Sequence, residues 1–268
     1  MNIKFIDENL DGQNGLSRYV SPESGWRKEI ETYDYCVYTD RKCFSDNIDT
    51  TKTNFAWIIE PPIVNGENYV YIVEKSKNFK YVFSYIKSLG DKIENFVFIP
   101  HGGTWLRNED INIWGKNKKI SFIYSDKTWN SGHRFRHQIA NSLKDTDIDF
   151  YGTGCNKKIE YKIEGLKDYM FSIVIENSQE EDYFTEKILD CFLSGTIPIY
   201  FGTKNISKYF NSNGFFSFNT FDELQNILQN LNEETYHSLK NYVQENFEIA
   251  KSFIHPEHKI NEYIKRNG

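Results

Sequence analysis

No uninterrupted apolar run in the chain approaches the ~18 residues that cross a bilayer as a helix. The N-terminus, MNIKFIDENLDG, lacks the basic start and hydrophobic stretch of a secretory signal. A soluble, cytoplasmic protein is the expectation from both absences. Only four cysteines occur, Cys36, Cys43, Cys155 and Cys191, and none has CxxC or CxxH spacing. That argues against a zinc site or a disulfide framework and fits a reducing compartment. Excess basic charge is missing too: the net charge is −6, so no surface field favours nucleic acid. There is no GxSxG elbow and no P-loop, and Gly152-Thr-Gly154 is too short for a dinucleotide fingerprint. Internal repeats and low-complexity segments are absent as well.

What remains is a soluble globular composition with ample Phe and Tyr, in 268 residues, enough for one large or two ordinary domains. Apolar strand candidates come first at Ile3–Ile6, Tyr35–Tyr38, Phe55–Ile59, Tyr81–Tyr85 and Phe96–Ile99, with a helix expected over Val70–Phe79. A polar, glycine-containing connector runs from His101 to Lys118. A second alternation follows, with strands at Ile120–Tyr124, Ile148–Tyr151, Phe171–Ile175 and Ile197–Phe201. Its helices carry Phe135, Ile139 and Leu143, then Thr185–Ser194 ended by Gly195. Thr220-Phe-Asp-Glu223 is a capping box, and one helix is expected through Tyr236, Leu239, Val243 and Phe247 until Pro256. Strands separated by helices predict an α/β fold of two Rossmann-like domains facing a central cleft. The expected division is 1–115, 116–250 and a helical extension, 251–268.

Three features carry chemistry. Lys187 falls in the first turn of its helix, where the dipole disfavours a cation by up to ~1 kcal/mol unless an anion binds there. The alternative is a surface pairing with Glu186 or Asp190. His133, Arg134, Arg136 and His137 form a second basic cluster at a helix start, and the two together suit a diphosphate. A solvated basic face explains the spacing equally well. Glu60 ends the strand Phe55–Ile59 and is followed by Pro61-Pro62, which cannot continue a central strand. A carboxylate at that strand end faces the ligand side of an open α/β sheet, or is an ordinary turn glutamate. Asp145-Thr-Asp147-Ile-Asp149 matches the DxD pattern of metal-dependent sugar transferases but reads as structural.

Glu176-Asn177-Ser178, then Asp182-Tyr183-Phe184-Thr185-Glu186-Lys187 and Gly195-Thr-Ile-Pro-Ile-Tyr200, resemble the donor-binding signature of family-10 glycosyltransferases, the α-1,3/1,4-fucosyltransferases. Phe55-Ala-Trp-Ile-Ile-Glu60-Pro61, Phe96–Gly102, and Arg134-Phe-Arg136 followed by Asp147–Gly152 resemble further family segments, so the likeness touches most of residues 53–222. The resemblance implies GT-B architecture and an inverting transfer of fucose from GDP-fucose to a glycan acceptor. It assigns Glu60 as general base from the N-terminal domain. Arg134 and Lys187 would contact the diphosphate, with Arg136 a possible additional phosphate contact. Asn177, Tyr183 and Glu186 would contact the ribose or the sugar. No metal or cofactor is required, with manganese or magnesium at most stimulatory. Pro61 stands where the family usually has serine, and the membrane anchor of animal members is absent, which points to a bacterial or viral enzyme. The loops Asp11–Arg27 and Cys43–Thr53 are expected to shape the acceptor side. Rival readings are the same fold with GDP-mannose or a UDP-sugar, a non-catalytic nucleotide-sugar-binding protein, and a GDP-fucose hydrolase.

Overall fold

The computed structural model describes residues 2–7, 10, 13–22, 26–45 and 47–267. Residues 11, 12, 23–25 and 46, within the two expected acceptor-side loops, lie outside the described residues. The chain forms two compact units: Met1–Gly103 with Ile254–Gly268, and Thr104–Phe253.

Unit 1 is built on six parallel strands: β1 (Ile3–Ile6), β2 (Trp26–Arg27), β3 (Tyr35–Thr39), β4 (Thr53–Ile58), β5 (Tyr81–Ser84) and β6 (Phe96–Phe98). Their order is β2-β1-β3-β4-β5-β6. In β4 every residue from Asn54 to Ile58 is buried, the run expected of a parallel strand covered on both faces. The first helix, α1 (Pro62–Lys75), begins well before the expected Val70. Pro62 lies in its first turn, where a missing N–H is harmless and a fixed φ favours the helix. Pro61-Pro62 therefore ends the strand and starts the helix. Phe79, expected as helical, has extended φ and ψ of −119° and 145° and is buried.

Unit 2 holds β7 (Lys118–Ile123), α2 (Ser131–Ser142), β8 (Asp149–Tyr151), β9 (Tyr169–Ile175), α3 (Glu186–Ser194), β10 (Ile197–Phe201) and β11 (Phe216–Ser217). The parallel sheet runs β11-β10-β9-β7-β8. All seven residues of β9 are buried, as a central strand requires. The core places Phe122, Phe171, Ile173, Ile197 and Ile199 against Ile139 of α2. Each such side chain contributes about 1.5–3 kcal/mol by leaving water. Gly195 ends α3 at φ +74°, the expected left-handed cap, and Tyr236 Oη donates to its carbonyl at 2.9 Å. Three helices follow: α4 (Phe221–Asn230), α5 (Glu233–Ser238) and α6 (Lys240–Lys251). The single helix expected through Tyr236–Phe247 is thus two, broken at Leu239, whose ψ is 4°.

The boundary between units falls after Gly103, not after residue 115. Residues beyond it are tied to α3: Asn112 N–H donates to the Leu193 carbonyl at 3.1 Å, and Lys116 Nζ to that of Ser194 at 2.8 Å. Nor is the terminal helix α7 (Pro256–Asn267) a separate extension, since it belongs to unit 1. Its Ile260 and Ile264 are buried with Trp26 and Phe83, and Asn261 Oδ1 accepts from Trp26 Nε1 at 2.7 Å.

Candidate functional site

In unit 2 the chain leaves β7 through α2 to the edge strand β8, then returns to lay β9 on the other side of β7. Winding reverses there, and in open parallel sheets ligands bind at the carboxyl ends of the strands flanking such a reversal. The elements following β7 and β9 are α2 and α3, so the starts of both helices belong to this place. The basic residues singled out in the sequence lie on those two helices.

Directly after β9 stands Glu176, fully buried. Its carboxylate accepts from Thr185 N–H at 2.9 Å and from Thr185 Oγ1 at 2.8 Å. Thr185 in turn caps α3, its hydroxyl oxygen accepting from Lys187 N–H. Lys187 Nζ lies 3.3 Å from both Glu176 Oε2 and Glu186 Oε1. The cation that opposes the helix dipole is thus held by two carboxylates, one of them the expected Glu186. Asp190 is not its partner: it faces the other way, 2.7 Å from the Lys162 ammonium and accepting from Thr104 and Trp105.

From the other helix, Arg136 reaches the same strand end. Its Nε donates to the Ile175 carbonyl at 2.8 Å and its Nη2 to Asn177 Oδ1 at 2.5 Å. Burial lowers the Arg136 pKa from its ordinary value, while the charges of Glu176 and Glu186 work in the opposite direction. α2 can come this close because of Gly132. A Cβ there would stand 2.5 Å from the Asn177 carbonyl oxygen and 2.6 Å from that of Glu176. Beside it, His133 is buried with its ring 4.6 Å from that of Trp129. Burial first, then the positive charges of Arg136, Lys127, Lys187 and His137, push its pKa down to about 4, so it is neutral near pH 7. His133 Nδ1 and Asn130 Nδ2 are buried without a hydrogen-bond partner.

Other expected residues are placed differently. Arg134 is exposed, its guanidinium donating to the Thr128 and Trp129 carbonyls at 3.3 and 3.4 Å. Arg136, given only a subsidiary place by the sequence, is the arginine at the strand end. Tyr183 is 2% exposed and offers a ligand almost no surface in this conformation. Glu176, Thr185 and Gly132 carried no role in the sequence reading. Their signal was available in retrospect, since Thr185 precedes the helix as an N-cap should. Asp145 and Asp147 are exposed, and Asp149 accepts from Tyr169 Oη at 2.6 Å. Among the described residues, no three His, Cys, Asp or Glu side chains group to hold a metal ion.

In unit 1, Glu60 follows β4 and is half-buried. Its N–H donates to Asp40 Oδ1 at 3.2 Å, and its carbonyl accepts from Tyr69 Oη at 2.6 Å. Asp40 is buried and was missed by the sequence reading, for it sits alone in a polar turn. Among the described residues, no helix is long and apolar enough to cross a membrane.

Known proteins resemble parts of the sequence, and others resemble the fold. An Arabidopsis thaliana fucosyltransferase-like protein is 36% identical over 110 residues, 38% of this chain and 21% of that protein. Helicobacter pylori alpha-(1,3)-fucosyltransferase FucT is 43% identical over 68 residues, 24% of this chain and 14% of FucT. The Mus musculus 4-galactosyl-N-acetylglucosaminide 3-alpha-L-fucosyltransferase 9 is 30% identical over 137 residues, 47% of this chain and 37% of the mouse protein. The matched segments therefore span well under half the length of each of these relatives. The crystal structure of an alpha1,3-fucosyltransferase with GDP superposes with a TM-score of 0.56 at 16% identity, covering 94% of this chain and 88% of that one. Anabaena HepE in complex with UDP-glucose gives 0.62 at 12% identity, covering 87% and 79%. The fold class is GT-B, with two Rossmann-like α/β units. Residues 113–263 match the C-terminal region of glycosyltransferase family 10 (fucosyltransferase), and the chain belongs to that family.

Proposed function

We propose that the chain transfers fucose from GDP-fucose to a hydroxyl of a glycan acceptor, with inversion at the anomeric carbon. Family membership supports the donor and the reaction. The observation that carries the reading is the joining of two helix starts at one strand end, where Arg136 of α2 bonds Asn177 and Lys187 of α3 bonds Glu176. Two cations and two helix N-termini there suit a diphosphate. In the reaction, Glu60 takes the proton of the acceptor hydroxyl as its oxygen attacks the anomeric carbon. The bond from that carbon to the phosphate oxygen breaks, and GDP departs with the electron pair. Lys187, Arg136 and Arg134 stabilise the charge gathering on the leaving diphosphate, so no metal is required by the chemistry. Asn177 and Glu186 bind hydroxyl groups of the ribose or the sugar, and Tyr183 joins them once its ring is uncovered.

Phosphate contacts do not distinguish one base or sugar from another, and HepE, the neighbour with the higher TM-score of the two, is in complex with UDP-glucose. A UDP-sugar or GDP-mannose transferase is therefore the second reading. Calorimetric titration with GDP, UDP, GDP-fucose and GDP-mannose, each with and without manganese, separates the two. Turnover is then sought with a galactosyl-N-acetylglucosaminide, the acceptor in the name of the mouse relative. Products formed with and without it distinguish transfer from hydrolysis.

A further inference from the structure

We propose that Asp40 is a positioning residue for the transfer, fixing the backbone that carries Glu60 and tuning the Glu60 carboxylate as a base; this rests on the reading of Glu60 above. The unit 1 sheet reverses its winding between β1 and β3. Asp7 follows β1, Asp40 follows β3, and Glu60 follows the adjacent β4, so the three carboxylates share the carboxyl edge of the sheet. Asp40 Oδ1 accepts from Ile59 N–H at 3.1 Å, Glu60 N–H at 3.2 Å and the Asn68 amide of α1 at 3.4 Å. One buried oxygen thus ties the end of β4 to the middle of α1. Asp40 also sits at φ +44°, in the left-handed region that aspartate and asparagine tolerate better than most side chains.

Among the described residues, Glu60, Cys43 and Asp7 are the charged or titratable groups that act on Asp40. Glu60 comes from the end of β4 and Cys43 from the turn that Asp40 begins. Asp7 lies beyond β1, where its carboxylate accepts from Thr39 Oγ1 at 3.0 Å and pairs with Lys28 Nζ at 3.2 Å. Asn68 of α1 is neutral. Burial, then the Glu60 charge, push the Asp40 pKa up to about 7 against the pull of the Ile59 and Glu60 N–H bonds. Below neutral pH Asp40 holds a proton and Glu60 faces a neutral neighbour. Above it, the ionised Asp40 raises the proton affinity of Glu60 and makes it a stronger base.

The test is GDP release from GDP-fucose across about pH 5 to 9, with water alone and with a galactosyl-N-acetylglucosaminide as acceptor. The wild type is compared with Glu60→Gln, Asp40→Asn and Asn68→Ala. Asparagine suits the positive φ and keeps an oxygen for both N–H groups, so the fold and the GDP affinity of Asp40→Asn should hold. Wild-type kcat is expected to rise through a limb near pH 7, and Asp40→Asn to lose that limb with a fall of about 10-fold at high pH. Asn68→Ala removes a donor from the carboxylate and is expected to move the limb to higher pH. A wild-type profile in Asp40→Asn overturns the proposal; should that variant fail to fold, an unmoved limb in Asn68→Ala does so. Glu60→Gln with full turnover defeats the base reading itself, whatever the Asp40 variants do, which keeps the two failures distinct.

Discussion

The dipole disfavours a lysine at a helix start, and Glu176 and Glu186 offset it for Lys187, each at 3.3 Å. Lys187→Ala leaves the fully buried Glu176 with its two Thr185 bonds but without its cation. We expect a loss of about 1–3 kcal/mol in urea unfolding. GDP affinity should also fall by about 10-fold or more, read by calorimetry. Lowered stability with unchanged GDP affinity would give the lysine a structural role alone. A second residue sets a pH dependence. Glu257 of α7 is fully buried, accepts from Leu16 N–H at 2.5 Å, and has its pKa pushed by burial from 4.5 up to about 7. The folded state therefore binds more protons than the unfolded one between those values, so this group's contribution to stability falls as pH rises through that window. Nearby His255, pushed down to about 4, works in the opposite direction. Glu257→Gln isolates the glutamate: its stability relative to wild type should increase from about pH 4.5 to about 7 and then level off. A difference that stays flat over that range contradicts the buried carboxyl's role.

At the scale of elements, the candidate site depends on how closely α2 approaches the end of β9. Gly132→Ala places a methyl group 2.5 Å from a backbone oxygen, which cannot rotate aside. Overpacking of this kind costs about 1–3 kcal/mol, and the shift of α2 should also weaken GDP binding, both measurable on the one variant. Stability and GDP affinity equal to wild type would show that α2 adapts freely. The strands around this contact were legible in the sequence because buried parallel strands are continuous apolar runs, as Tyr169–Ile175 and Ile197–Phe201 show. Gly195 and the cap Thr220 were legible too, as a glycine just past a helix end and a threonine three residues before a glutamate. The two-residue strands Trp26–Arg27 and Phe216–Ser217 were not, since two residues carry no periodicity. Helix α1 was placed late because Pro61-Pro62 signals a strand end and a helix start with the same residues. Arg136 could not be ranked above Arg134 from spacing. One helical residue pair two apart faces different directions, and only the fold shows which meets Asn177.

For the whole molecule, the residues proposed to bind the donor lie in Thr104–Phe253, whereas Glu60 and Asp40 lie in the unit closed by α7. The proposed chemistry divides in the same way. Glu60→Gln is expected to leave GDP affinity unchanged while lowering turnover by about 100-fold or more, seen by comparing calorimetry with GDP release. A parallel loss of GDP affinity would contradict that division of labour. The sequence assigned these roles by resemblance because Glu60 and Lys187 are far apart in the chain, and no local pattern links them.

The most direct measurement is calorimetric titration of the protein with GDP, UDP, GDP-fucose and GDP-mannose, with and without manganese. Selective binding of GDP and GDP-fucose, unchanged by manganese, is the predicted result. Preference for UDP, or a requirement for the metal, would contradict the proposed donor and its metal-independent chemistry while leaving the fold and the family as described.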